Sequence, residues 1–225
     1  MDTNYFEELT QQYPAFAGAA HKFTTEDRQD PPLCDLIHAT HSALTIHKKK
    51  LIESNTTFSQ YNAQLRKQKV SEFLQKANAE LEIGIENFMR PIIGIAETAA
   101  QAYESARTPK APENSVDYLR EQEIRNRLAS MSVPERTQTL QDQIDSGNFQ
   151  IFEAISHDPL PSKDFLGSLE TDRILNETAE LYASTRYPEV WTRQAQAKSL
   201  LEKAQMIKDL ALSAGRRQNE AQAGL

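Results

Sequence analysis

Three histidines lie close together in the first third of the chain. His38 and His41 are three residues apart, His47 follows six later, and Cys34 stands four before His38. Residues three and four apart share a helix face, so Cys34, His38 and His41 have types and spacing that a transition metal uses. The set lacks a further ligand at a convincing spacing, and no metal site is predicted. The reading is a polar seam or a partner contact, whose neutral imidazoles would gain charge near a pH of about 6.5. Glu80, Glu82 and Glu86 form a carboxylate group, yet the Glu-x-x-His repeats of a di-iron bundle are missing. His157-Asp158 is a dyad on paper only, because Pro159 follows at a helix end. The sequence has no Gly-x-Ser-x-Gly elbow, Walker loop or dinucleotide fingerprint. The expectation is therefore a non-enzymatic protein with no catalytic residues and no cofactor.

Two basic clusters, Lys48-Lys49-Lys50 and Arg66-Lys67-Gln68-Lys69, have the charge to meet phosphate or nucleic acid. Neither is interleaved with several aromatic residues, and a solvated helix face is the plainer reading. Nucleic-acid contact through Lys48, Lys49, Lys50, Arg66, Lys67 and Lys69 is kept as an alternative. The chain as a whole is acidic, with a formal net charge of −7, so a strongly basic footprint is absent.

The elements that must position these residues are helices. The 225 residues include only 7 glycines and 10 prolines, too few for glycine-turned barrels or flexible linkers. Ala, Gln, Glu, Leu and Lys recur throughout, and all are good helix formers. The single cysteine, Cys34, excludes an intrachain disulfide. The first residues lack a basic start and an apolar stretch, and no run approaches the roughly 18 apolar residues of a membrane span. Secretion is therefore not expected.

Residues 1–32 read as an N-terminal arm: a short helix with Tyr5, Phe6 and Leu9, broken by Pro14 and Gly18, then a polar loop. Residues 33–107 read as one long helical, coiled-coil-like region. Ile37, Leu44, Leu51, Phe58 and Leu65 recur every seventh position. Further on, Val70, Leu74, Ala77, Leu81, Ile85, Phe88, Ile92, Ile95 and Ala99 step by fours and threes, with a stutter at Leu81–Ile85. Pro91, between Gly84 and Gly94, predicts a kink. A straight helix over this region would be about 110 Å long, so it must fold back or find neighbours.

Residues 108–114, with Pro109 and Pro112, read as a stiff linker and domain boundary. Residues 115–213 read as a compact helical bundle. Ser115 is taken as a cap, with Val116, Leu119, Ile124 and Leu128 inward; Ser132-Val133-Pro134-Glu135 opens the next helix; Gly147 stops it. Phe149, Ile151, Phe152 and Ile155 form a third helix. Asp158-Pro159-Leu160-Pro161 ends it, and Ser162 opens a turn with Phe165 and Leu166. Trp191 opens the last helix, either as an interface anchor or as a cover over the end of the core. Its seam is Val190, Ala197, Leu200, Ala204, Ile207 and Ala211. Residues 214–225 read as a mobile tail loosened by Gly215 and Gly224.

Glu123-Ile124-Arg125, Leu128, Ser132-Val133-Pro134-Glu135-Arg136, Leu140, Ile144-Asp145-Ser146-Gly147-Asn148 and Ala154-Ile155 together resemble a pattern in small helical proteins encoded among phage and prophage structural genes. The resemblance covers about residues 115–195 and leaves out the long N-terminal region; Asn148 stands where those proteins more often carry an acid. It implies a virion-associated or assembly protein and carries over no catalytic residues.

The sequence thus predicts an all-α protein: a long kinked N-terminal helix with a coiled-coil-like seam, plus a compact C-terminal bundle. Its expected function is a scaffold-like, internal-core or connector-associated phage component. Its expected partners are copies of itself and other virion proteins, met through Leu74, Leu81, Ile85, Phe88, Ile92, Ile95, Ala99 and Trp191. The alternative is a cytosolic coiled-coil adaptor or regulator.

Overall fold

A computed structural model describes residues 4–157 and 169–223. All of the regular structure in these residues is helical: α1 (Asn4–Gln12), α2 (Pro14–Ala19), α3 (Pro31–Phe58), α4 (Ala63–Arg107), α5 (Ser115–Ala129), α6 (Val133–Asp145), α7 (Gln150–Ser156), α8 (Leu169–Arg186) and α9 (Pro188–Ala223), with two short 3-10 turns between α2 and α3. The chain divides into two compact units, residues 1–97 with 196–225, and residues 98–195. The proline segment 108–114 lies inside the second unit, and both divisions fall within helices, in α4 and α9. This differs from the division expected at 108–114. The seam of α9 places its second half in the core that α3 and α4 build, so sequence order and spatial grouping part company.

The first unit is built on α3, α4 and the second half of α9. Asp30 caps α3 by accepting from the Leu33 amide at 3.3 Å, and Pro31 and Pro32 occupy the first turn, where a missing N–H costs nothing. The long helix expected over 33–107 is two helices. Ser59–Asn62 breaks it without glycine or proline: the Ser59 hydroxyl donates to the Thr56 carbonyl at 2.6 Å, and Asn62 Oδ1 accepts from the Leu65 amide at 3.0 Å. Short polar side chains supply the backbone with partners outside the helix. The chain then returns antiparallel: Phe58 meets Phe73 with ring centroids 6.0 Å apart, and Lys50 pairs with Glu80. Helix α4 continues through Pro91, which sits on an exposed face.

Helix α9 closes this bundle. Lys208 bridges Glu86 at 2.6 Å and Glu82 at 3.3 Å on α4, and Lys203 pairs with Asp27. Burial alone would raise the Asp27 carboxyl, but hydrogen bonds from Lys203 and Thr24 outweigh it and hold the group below its usual value. The common core contains Leu44, Leu81, Ile85, Ile92, Ile207 and Ala211. The N-terminal arm is part of it: Phe6, Leu9, Tyr13, Phe16 and Phe23 are buried there. Pro14 ends α1 and, in the same step, begins α2.

The expected mobile tail is helix. Residues 214–223 extend α9, Ala214 and Asn219 are buried, and the Asn219 carboxamide joins His47 Nε2 at 3.1 Å to Asn78 Oδ1 at 2.7 Å. Gly215 serves packing: a Cβ there would lie 2.6 Å from the Leu81 Cδ2 atom. The glycine lets α9 approach α4. The expectations for residues 158–166 and for Gly224 lie outside the described residues.

In the second unit, Asn114, not Ser115, caps α5; its Oδ1 accepts from the amides of Val116 and Asp117 at 2.9 and 3.0 Å. Ile124 and Leu128 face the core as expected, whereas Val116 and Leu119 are exposed, at 72% and 60%. They fall in the first turn and a half, outside the stripe that packs on α7. Helix α6 opens as the sequence indicates, with the Glu135 carboxylate accepting from the Ser132 amide at 2.8 Å and its hydroxyl at 2.7 Å. Gly147 ends the helix at a φ of 71°, a conformation that favours glycine.

Tyr182 stands at the centre of this second core, its ring 5.3 Å from Phe149 and 5.5 Å from Phe152. Burial, with Glu153 and Tyr187 nearby, pushes its phenol from 10.0 up to about 12. Between those values the folded chain holds a proton that the unfolded chain has released. The stabilisation is therefore complete below a pH of about 10 and is lost as pH rises towards 12. Urea midpoints measured across this interval should fall more steeply in the parent than in Tyr182→Phe. Parallel slopes would remove Tyr182 from the alkaline response.

Candidate functional site

The histidines singled out by spacing go to three different partners. His38 stacks on Tyr5 with centroids 4.3 Å apart, and His41 Nε2 lies 3.0 Å from Glu8 Oε2. His47 turns inward to Asn219. The Cys34 thiol donates to the Arg28 carbonyl at 2.9 Å, and burial, with Asp30 and Asp35 nearby, pushes it above its ordinary value. The helix that places these residues in register also directs them to different neighbours. No group of three or more potential metal ligands occurs among the described residues.

The basic clusters are partly neutralised. Lys50 is paired with Glu80, and Lys69 with Glu72 at 3.1 Å. Lys48, Lys49 and Lys67 are exposed, and Arg66 is half-buried. The aromatic residues at the turn pack on one another, Phe58 against Tyr61 and Phe73.

Sequence reasoning missed a polar clamp in the second unit. His157 Nδ1 lies 2.9 Å from Glu121 Oε1, and its Nε2 lies 3.1 Å from the Pro109 carbonyl. Arg125 donates to the Ala154 carbonyl at 2.8 Å and stands 3.5 Å from Glu121. Both partners of the imidazole are oxygens, a carboxylate on one side and a backbone carbonyl on the other. The clamp fastens the proline segment to α5 and the end of α7, which is why 108–114 does not behave as a free linker. A motif search overlooks it because its members are far apart in sequence.

The expected interface residues separate into two sets. Leu81, Ile85 and Ile92 belong to the first unit's own core, and Ala99 is buried as well; they are already covered within the chain, which corrects their assignment to a partner surface. A period of fours and threes identifies a buried stripe without saying which helix buries it. Leu74 is half-buried. Phe88 and Ile95 remain exposed, at 52% and 42%. Trp191 is 40% exposed and packs against Tyr103, with centroids 5.7 Å apart. It covers part of the second unit while leaving one edge open.

The exposed set includes one well-formed feature. A cleft of about 910 Å³ runs between α3 and α4. Asp35, Ala39, Ser42 and Ile46 line it from α3, and Gly84, Phe88 and Pro91 from α4. Ile46 is 54% exposed. Side chains at 35, 39, 42 and 46 fall on one face because they step by four and three. Small residues at 39, 42 and 84 hollow the surface, and Ile46 and Phe88 stand up beside it. The chemistry on offer is apolar contact with a convex partner such as a helix.

No family model matches the chain, and no curated protein or solved structure is significantly similar to it. Among the described residues, no helix is long and apolar enough to cross a membrane.

Proposed function

We propose that this chain is a non-enzymatic structural protein that works by self-association through helices, as a virion-associated or assembly component of a phage. The observation that carries the reading is the α3–α4 cleft, where Ile46 and Phe88 stand more than half exposed beside a hollow of small residues. An uncovered apolar concavity of this kind marks an interaction surface. The resemblance of residues 115–195 to helical proteins of phage structural genes supplies the phage setting, with the virion or host cytoplasm as its place. Other assembly proteins are the natural further partners.

The test is native mass by light scattering or sedimentation over a wide concentration range. The expected result is a defined oligomer that Phe88→Asp dissociates with helical content unchanged. Leu81→Asp is unsuitable, since Leu81 lies in the core. A monomer at every concentration would refute self-association. A defined oligomer that never associates with phage particles would favour the cytosolic adaptor.

A further inference from the structure

The α3 face that lines the cleft continues past it and is oppositely charged at its two ends: Asp35 lines the cleft, and Lys49 lies about one turn beyond Ile46, outside its lining. Asp35 stands at one end and Lys49 at the other, seven residues on either side of Ser42, with Ala39 and Ile46 between. Positions seven apart keep nearly the same face of a helix, so the three residues form one line about 21 Å long. Asp35 and Lys49 are both exposed, and neither makes an ion pair with another described residue. Lys50 differs, being held by Glu80 on α4. The exposed face of α3 is therefore acidic towards its start, small and apolar along the cleft, and basic just beyond it.

Such a pattern is complementary to itself in one orientation. Against a second α3 running antiparallel, the acidic end meets the basic end twice, once on each side of the centre. Against a parallel copy, like charge meets like charge at both ends. A two-fold contact repeats each pairing by symmetry, so residue i meets j and j meets i.

We infer that the cleft is filled by a second copy of this chain, α3 lying antiparallel on α3 about a two-fold axis near Ser42, with Asp35 of each copy beside Lys49 of the other. The inference rests on the proposed self-association and adds its partner, orientation and charge pairs.

Charge reversal tests it in the full-length protein. Asp35→Lys and Lys49→Asp each replace two attractions by two repulsions, and each variant alone should weaken self-association about tenfold or more at low salt. The double variant Asp35→Lys/Lys49→Asp restores both pairs and should associate within about threefold of the parent. An equimolar mixture of the two single variants should form a mixed dimer, since its two pairs are again opposite in charge. Added salt should compress all these differences. The substituted positions are exposed, and circular dichroism of each variant checks that its helices are intact. If the single variants associate like the parent, or if neither the double variant nor the mixture recovers, the antiparallel pairing is overturned. The broader reading survives those results provided that Phe88→Asp still dissociates the oligomer. A parent that is monomeric throughout overturns both.

Discussion

Ile207→Ala is expected to lower the unfolding free energy of the first unit by about 2–5 kcal/mol. Ile207 is fully buried, and its core also holds Leu44, Leu81, Ile85 and Ile92 from α3 and α4. Ala204 and Ala211, one turn before and after it, are also fully buried. Their methyl groups are too short to move into the space vacated at 207, so a cavity remains and the loss should fall in the upper part of that range. Ile207→Asp goes further: it places a carboxylate in a fully buried position of an apolar core, and the unit should fail to form that core. Urea unfolding followed by circular dichroism measures the first effect. Trp191, the only tryptophan, lies in the second unit and gives that unit its own fluorescence signal. A shift below about 1 kcal/mol for Ile207→Ala would mean that α9 does not complete this core.

That a residue near the end of the chain completes a core begun near its start was half legible in the sequence. The alternation of Ala204, Ile207 and Ala211 indicates a helix packed closely on another. The period cannot name the neighbour, because hydrophobic spacing records that a face is covered and not by what. The same ambiguity moved Leu81, Ile85 and Ile92 from a predicted partner surface into the core. Local punctuation was read well where one residue type has one backbone use, as with Gly147 or Ser132-Val133-Pro134-Glu135. It was missed where the signal was distributed: Asn55-Thr56-Thr57 and Ser59-Gln60-Tyr61-Asn62 form a polar run that supplies both stop and cap between α3 and α4 without glycine or proline. The cleft was legible only in part. Phe88 was on the stripe, but Ala39, Ser42 and Gly84 matter because they are small, and a hollow leaves no hydrophobic signal.

Gly215 and Asn219 show the opposite failure, in which polar and small residues were read as freedom. Asn219→Ala is expected to cost the first unit about 1–3 kcal/mol, because it leaves buried polar groups without partners. The Asn219 side chain accepts from His47 Nε2 and donates to Asn78 Oδ1. Since Asn219 Oδ1 can only accept, His47 Nε2 is the donor of this pair, and the buried His47 Nδ1 has no partner. Removing Asn219 would orphan the second ring nitrogen as well, on a side chain only 3% exposed. Asn78 is half-buried, and water can replace part of what it loses. The cost therefore resides mainly in the His47 pair, and a double-mutant cycle isolates it. His47→Leu and Asn219→Leu should each destabilise, whereas the double variant should lose less than the sum of the two, since no buried donor is then left facing an apolar group. Stopping the chain after Arg217 should do at least as much damage as Asn219→Ala, because it also removes Gln218, whose amide donates to the Tyr13 hydroxyl at 3.2 Å. If Asn219→Ala stays within about 0.5 kcal/mol of the parent, or if the cycle is strictly additive, the last two turns of α9 contribute nothing to the fold. They would then be the loose end that their composition suggests.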